Sequence, residues 1–199
     1  MRDWQLLLLG GAAASGKSTS GSAIARRLGV SCVSGDSLWT ALKCVTSRES
    51  HPAFHHFEPT EEECLRGPEY LCARHIESAE ALTPALEAFI DREMKEGHRL
   101  LLEGAWITPE LASRRTSAWN GARAVFIYEP EQDQVLAAMM SRQSVAEPTK
   151  RQLWLAPMAW RYGNWLLDGA RKHTLPIVEA RPWGTLADRV MQAANGENV

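Results

Sequence analysis

The feature that most constrains this chain is a short apolar run, residues 5–11, which ends in glycine and precedes a helical pattern over residues 18–28. The turn between them reads GAAASGKS and matches G-x-x-x-x-G-K-[ST] at every fixed position. Converging backbone N–H groups and the N-terminus of the following helix make such a turn attractive to anions. The sequence therefore predicts a phosphate-binding loop between a buried strand and a helix. Its residues are Gly11, Ala12, Ala13, Ala14, Ser15, Gly16, Lys17, Ser18 and Thr19.

Three side chains of this loop have predicted roles. Lys17 is expected to bridge the terminal phosphates of ATP and to act in catalysis, and Ser18 to coordinate Mg²⁺. Thr19 could add a hydroxyl to the inner phosphate. The other interpretation is an ordinary glycine-rich turn with an exposed lysine, which the joint match of motif and context disfavours. The predicted cofactors are ATP and Mg²⁺.

Hydrophobic patterning predicts the fold class. Apolar runs typical of strands buried on both faces recur along the chain, and helical patterns separate them. Five strands that alternate with helices predict a doubly wound α/β fold, with helices on both faces of a parallel sheet. At 199 residues, the whole chain, 1–199, is predicted to form one domain. The predicted strands are 5–11, 31–35, 99–107, 122–128 and 175–179.

Several local features are predicted between these strands. Ser37 is expected to cap the helix after the second strand, and Pro130 to begin the helix after the fourth. Pro68 and Pro84 are expected to divide the helical region that follows Thr60 into two or three helices. Residues 47–59 are rich in turn formers and are predicted to form a mobile loop at the entrance for an acceptor. The loop contains two histidines, His55 and His56, which could bind a polar group or simply be solvated.

Two acidic residues belong to the carboxyl ends of predicted strands, where ligands bind in open α/β sheets. Asp36 directly follows the second strand and could accept a proton from a substrate hydroxyl, or only cap the next helix. Glu103 follows three leucines and could hold a magnesium-bound water, or pair with a structural cation. Because glycine follows Glu103, the paired acids of many mechanical P-loop hydrolases are missing. This favours transfer to a small acceptor.

Positive charge to neutralise a transferring phosphoryl group must come from outside the loop. Residues 144–172 are predicted to form a lid over ATP, with Arg142 and Arg151 as catalytic cations. Lys150 and Arg161 add further charge, and a solvated surface position is the alternative for each of these cations. The tryptophans of the segment are expected to pack as a helix face. Arg181, which follows the last strand, could flank the adenine.

Composition disfavours several other partners. The formal net charge of −2 provides no basic footprint for nucleic acid. The apolar stretch near the N-terminus is far shorter than a membrane span, and Gly-Lys-Ser interrupts it. The four cysteines lack C-x-x-C spacing, so neither a zinc site nor a disulfide framework is expected. Nucleic acid and membranes are therefore not expected as partners, and a cytoplasmic location is expected.

The chain resembles the small-molecule kinases of the P-loop superfamily, in the nucleoside-monophosphate-kinase-like group. The resemblance implies a five-stranded parallel sheet in the order 2-3-1-4-5 with a helical lid. The segment SGDS at 34–37 is similar to the strand-two element of gluconate kinase and chloramphenicol phosphotransferase, which implies that Asp36 acts on the acceptor hydroxyl. The segment LEGAWITP at 102–109 is similar to the E-G-x-x-x-x-P segment of 2-phosphoglycerate kinase-like proteins.

These observations lead to one main hypothesis and two alternatives. The main hypothesis is an ATP- and Mg²⁺-dependent phosphotransferase that acts on a hydroxyl of an unidentified small molecule. The first alternative is a nucleotide-dependent switch that presents the tryptophans of residues 144–172 to a partner. The second, an RNA or nucleotide end kinase, is weakened by the lack of a basic patch. The acceptor and the oligomeric state stay open.

Overall fold

The computed structural model describes residues 4–197. Its strands are β1 Leu6–Gly11, β2 Ser31–Ser34, β3 Leu100–Gly104, β4 Ala122–Tyr128 and β5 Ile177–Glu179. Its helices are α1 Lys17–Leu28, α2 Gly35–Cys44, α3 Glu61–Leu65, α4 Pro68–Lys95, α5 Pro109–Ala118, α6 Gln132–Gln143, α7 Lys150–Lys172 and α8 Leu186–Ala194. The strands form one parallel sheet in the order β2-β3-β1-β4-β5. The predicted fold class and strand order are confirmed.

The four leucines of β1 explain why this strand lies at the centre of the sheet. All four side chains are fully buried, and they alternate between the two faces. Leu6 and Leu8 belong to a core that includes residues of α4, α5 and α7. Leu7 and Leu9 belong to a second core with residues of α1 and α8. The sheet is therefore the middle layer of a three-layer α/β/α arrangement.

The strand register brings the predicted site residues to one edge of the sheet. Leu9 of β1 pairs with Glu103 of β3, and Ser34 at the end of β2 pairs with the same glutamate. Because these neighbouring strands are parallel, their carboxyl ends lie side by side. The turn after β1, the end of β3 and the start of α2 therefore meet.

Helix α4 runs without interruption through Pro84, so the predicted break at this proline is wrong. Pro68 begins the helix, as is common for proline at the first helical position. Pro84 lies on the exposed face of α4, whereas Leu82, Leu86 and Ile90 are buried on the opposite side. Packing of this apolar stripe holds the helix together, and solvent can satisfy the carbonyl that a proline leaves without a partner.

Two predicted helix starts are also wrong. Helix α2 begins at Gly35, and its cap is Ser34, whose Oγ accepts a hydrogen bond from the Asp36 backbone N–H at 3.3 Å. Ser37 therefore lies inside the helix and does not cap it. Helix α6 begins at Gln132, two residues after Pro130. The predicted third and fifth strands are shorter in the structure, at Leu100–Gly104 and Ile177–Glu179.

The segment 47–59 is less irregular than its composition predicts. It contains a 3-10 turn at Pro52–His55 that is tied to two helices. Trp39 of α2 donates its indole N–H to the Phe54 carbonyl at 2.7 Å, and Ser78 of α4 donates to the Ala53 carbonyl at 2.5 Å. These two hydrogen bonds anchor the middle of the segment that is predicted to be a mobile loop.

The segment predicted as a lid contains α7, and the later part of α7 belongs to the body of the domain. Tyr162, Leu166 and Ala170 are buried in the core beneath one face of the sheet. The Tyr162 hydroxyl donates to the Ala105 carbonyl at 2.6 Å. Closure of the whole segment would expose these side chains, so only the connection before α7 and its first turns remain available for a lid movement. The tryptophans of α7 are partly buried against the cores, as predicted.

No helix within residues 4–197 is both long enough and apolar enough to cross a bilayer.

Candidate active site

The turn between β1 and α1 leads directly into the N-terminus of a helix, where anions are favoured. Gly16 caps α1 with φ 85°, in the left-handed region that favours glycine. A Cβ at Gly16 would also lie 3.0 Å from Leu186 Cδ2, and one at Gly11 would lie 2.8 Å from the Ile127 carbonyl oxygen. A side chain at Gly11 or Gly16 would therefore not fit without movement of its neighbours. Residues 11–19 thus lead from the end of β1 into α1, which begins at Lys17, in the strand–turn–helix context that the motif requires.

Lys17 is buried within the loop rather than extended into solvent. Its Nζ donates to the Ala12 carbonyl oxygen at 3.1 Å. Burial lowers the pKa of this ammonium group, and the negative charges of Glu103 and Asp36 oppose the decrease. An ammonium group has three N–H donors, and this hydrogen bond uses one of them. The interpretation of Lys17 as an exposed surface lysine is therefore wrong.

Ser15 provides an independent sign of a missing partner in the loop. Its side chain is 2% exposed, and its Oγ has no hydrogen-bond partner among the residues that the structure describes. A buried hydroxyl without a partner costs free energy. An anion bound in the loop could satisfy it.

Ser18 and Glu103 are in direct contact, as expected for two residues predicted to share a metal. Ser18 Oγ donates to Glu103 Oε2 at 3.0 Å. Glu103 is 4% exposed at the end of β3, whereas Ser18 is exposed. One hydroxyl and one carboxylate fit Mg²⁺, which prefers oxygen ligands and takes few of them from the protein when a phosphate is present.

Asp36 lies in the first turn of α2, exposed, at the same edge of the sheet. Its Oδ1 accepts a hydrogen bond from Trp106 Nε1 at 2.7 Å. Because Ser34 provides the cap of α2, the interpretation of Asp36 as a helix cap is wrong. The carboxylate is thus available to a ligand near Lys17, whose pKa responds to it.

A cavity of about 420 Å³ adjoins the loop on the side of α6 and α8. Arg142 in the last turn of α6 lines this cavity, as does the indole of Trp183. Trp183 is 45% exposed, which is unusual for so large an apolar side chain. The other lining residues are Ala14, Gly16, Lys17, Ser18, Thr19, Ser20, Ala138, Ser141 and Leu186.

Arg181 does not line this cavity itself but packs against Trp183, which does. Its guanidinium group lies 4.4 Å from the ring centroid of Trp183, and its Nε donates to Glu129 Oε2 at 3.0 Å. Glu129 is buried, so its ion pair with Arg181 holds the guanidinium group in place. Arg181, which is predicted to flank the adenine, therefore packs against Trp183, and the indole of Trp183 could flank the adenine instead.

The remaining cations predicted for the lid are not gathered at the loop. Lys150 pairs with Glu61, and Arg161 pairs with Glu69 at 2.5 Å. Arg151 lies near Cys64 of α3. Burial raises the pKa of the Cys64 thiol, and the positive charge of Arg151 opposes this increase. Of the two arginines predicted to act in catalysis, the structure brings only Arg142 to the loop. A role for Arg151 stays a prediction.

The two histidines of the segment 47–59 differ in their surroundings. His55 Nε2 lies 3.4 Å from Thr46 Oγ1. His56 is buried, and within the described residues neither of its ring nitrogens forms a hydrogen bond. Burial and the charge of Arg74 lower the pKa of His56, so the neutral ring is favoured. Neither residue lines the cavity beside the loop.

Sequence reasoning missed His75 of α4. Its ring stacks on Trp106 with centroids 5.3 Å apart and contacts Tyr162 edge-on at 4.3 Å. Burial, together with the charge of Lys17, lowers the pKa of His75 to about 3. No signal in the sequence marks it, because the helical stripe is defined by apolar residues. It belongs to the aromatic cluster around Trp106.

Comparison with known proteins gives a consistent picture. No protein-family model matches the chain. A 2-phosphoglycerate kinase of Methanocaldococcus jannaschii is 30% identical over 184 residues, which cover 87% of the chain and 58% of that relative. A 2-phosphoglycerate kinase of Methanothermobacter thermautotrophicus is 25% identical over 204 residues, covering 98% of the chain and 66% of that relative. The chain thus spans less than two thirds of the length of these relatives.

Solved structures extend the comparison to the fold. A gluconokinase of Sinorhizobium meliloti superposes with a TM-score of 0.54 at 16% identity, covering 98% of the chain and 94% of that structure. The chain has the fold of the P-loop small-molecule kinases. A shikimate kinase of Acinetobacter baumannii in complex with shikimate gives a TM-score of 0.53 at 14% identity, covering 97% and 94%. At 14–16% identity, these two structures show that the chain shares their fold, and they show nothing further.

Proposed function

We propose that the chain is an ATP- and Mg²⁺-dependent kinase that transfers a phosphoryl group to a hydroxyl of a small-molecule metabolite. The main supporting observation is the convergence of three groups at one edge of the sheet. The ammonium group of Lys17 is buried in the phosphate-binding loop, where the charges of Glu103 and Asp36 both act on it. Glu103 accepts a hydrogen bond from Ser18, the proposed metal ligand, and Asp36 is exposed.

The loop would hold the phosphates of ATP. Backbone N–H groups at the start of α1 and the partial positive charge of that helix favour an anion there. Lys17 would neutralise the terminal phosphates, and the Ser15 hydroxyl would gain the partner that it lacks. Because these groups are fixed before ATP arrives, little reorganisation is needed when charge develops on the transferring group.

Ser18 and Glu103 would hold Mg²⁺, with Glu103 acting directly or through water. Bound Mg²⁺ would neutralise phosphate charge and orient the terminal phosphate. The Ser18 hydroxyl now donates to Glu103, so the carboxylate fixes the hydroxyl oxygen at the mouth of the loop. Arg142 would add positive charge from the end of α6.

Asp36 would act on the acceptor. An exposed carboxylate next to the phosphate-binding loop can accept the proton of an attacking hydroxyl or orient that hydroxyl for attack. The absence of a second acidic residue beside Glu103 in the sequence agrees with transfer to an acceptor rather than to water.

The adenine would occupy the cavity between α6 and α8. Trp183 presents an exposed indole there, and Arg142 lies across the same cavity. Indole rings stack well on nucleobases, which gives affinity without selectivity among bases. Closure of the connection between α6 and α7 would exclude water from the bound phosphates.

2-Phosphoglycerate is the first acceptor to test, because the relatives that match the chain carry its name. The experiment measures ADP formation with ATP and Mg²⁺, with and without the acceptor. We expect Asp36→Asn to abolish transfer while ATP binding persists, and Lys17→Ala to lose ATP binding. Asp168→Asn and Lys172→Ala alter exposed residues of α7 away from the loop and serve as matched controls. Wild-type turnover by Asp36→Asn would refute the role of Asp36, and undiminished ATP affinity of Lys17→Ala would refute the ATP site.

A further inference from the structure

We propose that Trp106 is a positioning residue that fixes the Asp36 carboxylate for the acceptor hydroxyl, an inference that rests on the proposed function. Trp106 lies in the connection between β3 and α5, seventy residues from Asp36 in sequence. Its Nε1 donates to Asp36 Oδ1 at 2.7 Å, a short distance typical of hydrogen bonds to a charged acceptor. No other side chain within residues 4–197 donates to this carboxylate.

The indole that donates this hydrogen bond cannot easily move. Trp106 is fully buried. Trp39 stacks on it with ring centroids 5.5 Å apart, His75 stacks at 5.3 Å, and Phe57 contacts it at 4.9 Å. Side chains packed at interior density keep one rotamer. The donor is therefore rigid, although its acceptor is an exposed side chain in the first turn of a helix.

The lack of a side chain at Gly35 allows the indole to reach Asp36. A Cβ at Gly35 would lie 2.9 Å from Trp106 Cδ1, closer than side-chain atoms approach one another. A Cβ at Gly104 would lie 3.4 Å from the same atom and 3.4 Å from Gly35 Cα. The close contact between Trp106 and the start of α2 thus depends on the absence of a side chain at Gly35, whereas the distances at Gly104 are ordinary contacts. The segment 103–106 contributes the metal-side carboxylate at one end and the donor to Asp36 at the other.

The hydrogen bond restricts an otherwise mobile group. An exposed aspartate can rotate about both of its side-chain torsions, and only some orientations direct an oxygen towards an acceptor. With Oδ1 held by Trp106, the second oxygen has a defined direction. A catalytic group held in the reactive geometry raises the rate of the chemical step, whereas ATP binding is unaffected.

The first test is spectroscopic and needs no acceptor. In ¹H–¹⁵N spectra of the tryptophan indoles, assigned by Trp106→Phe and Trp39→Phe, we expect Asp36→Ala, which removes the acceptor, to shift the Trp106 resonance strongly. Trp39 donates to the Phe54 carbonyl instead, so its resonance should move little. An unmoved Trp106 resonance would overturn the inference, whether or not the chain is a kinase.

The second test is kinetic. We expect Trp106→Phe to lower kcat by about 10- to 100-fold with the KM for ATP unchanged. Trp39→Phe is the matched control, because it removes an indole N–H from the same aromatic cluster and should keep kcat near wild type. Gly35→Ala, which crowds the indole without removing it, should also lower kcat. Thermal melting of each variant separates this effect from loss of fold.

The outcomes distinguish the inference from the proposed function. Wild-type kcat for a folded Trp106→Phe would overturn the positioning role and leave the kinase assignment intact. An equal loss of kcat in Trp106→Phe and Trp39→Phe would assign the effect to packing, and it would also overturn the positioning role of Trp106. Absence of transfer by the wild-type chain to any acceptor would count against the proposed function, and the indole shift would still decide whether the hydrogen bond exists.

Discussion

Buried, neutral His75 should make the fold sensitive to mild acid. The pKa of this imidazole falls from 6.5 to about 3 because burial, and secondarily the charge of Lys17, disfavour the protonated ring. Between these two values the unfolded chain binds a proton that the folded chain does not. Acidification below pH 6.5 therefore favours unfolding, and the stability is regained as the pH rises to 6.5.

The size of the effect follows from this difference. Each pH unit below 6.5 costs about 1.4 kcal/mol of unfolding free energy until the folded-state pKa is reached. At pH 5 the loss is about 2 kcal/mol, a large part of the 5–15 kcal/mol typical of a domain. The lowered pKa of His56 acts in the same direction. Glu63, whose pKa is lowered by hydrogen bonds from Thr60, contributes only in more acidic solutions.

Urea unfolding at pH 7.5, 6.5, 5.5 and 5.0 measures this loss. We expect His75→Phe, which keeps an aromatic ring against Trp106, to lose about 2 kcal/mol less than the wild type between pH 7.5 and pH 5.0. His51→Phe removes an exposed histidine and is the control. A parallel decline of wild type and His75→Phe would refute the assignment of a neutral buried imidazole at position 75.

Three further predictions concern the site and the core. Glu103→Gln should raise the Mg²⁺ concentration needed for half-maximal activity by about 10- to 100-fold, as a Mg²⁺ titration at saturating ATP would measure. Trp183→Ala should weaken ATP binding by about 1–3 kcal/mol in calorimetry, because the exposed indole is the proposed stacking surface for adenine. Gly10→Ala should destabilise the fold by about 1–3 kcal/mol in urea, since its Cβ would lie 2.4 Å from Phe126 Cε1 and 2.6 Å from Phe126 Cδ1. Gly184→Ala has open space around its Cβ and should be neutral.

The strands and the phosphate-binding loop could be predicted because local sequence determines them. Four consecutive leucines followed by a glycine-rich turn can form little else than a buried strand that enters a helix. The proximity of Ser18 and Glu103 could also be predicted, because the carboxyl ends of neighbouring parallel strands lie at one edge of the sheet.

Features that depend on tertiary packing could not be predicted. Pro84 is a strong helix breaker in isolation, but the buried stripe of α4 on its opposite face keeps the helix intact. The hydrogen bond from Trp106 to Asp36 depends on the close approach of two elements that are far apart in sequence. His75 differs from a surface histidine only in the rings that surround it.

The most direct test of kinase activity follows the terminal phosphoryl group of ATP by ³¹P NMR. The chain is incubated with ATP, Mg²⁺ and either 2-phosphoglycerate or a mixture of hydroxylated metabolites. We expect a new phosphate-ester signal that grows in step with ADP and is absent with Lys17→Ala. Formation of ADP and inorganic phosphate alone, at a rate that no acceptor changes, would contradict the proposed phosphotransferase.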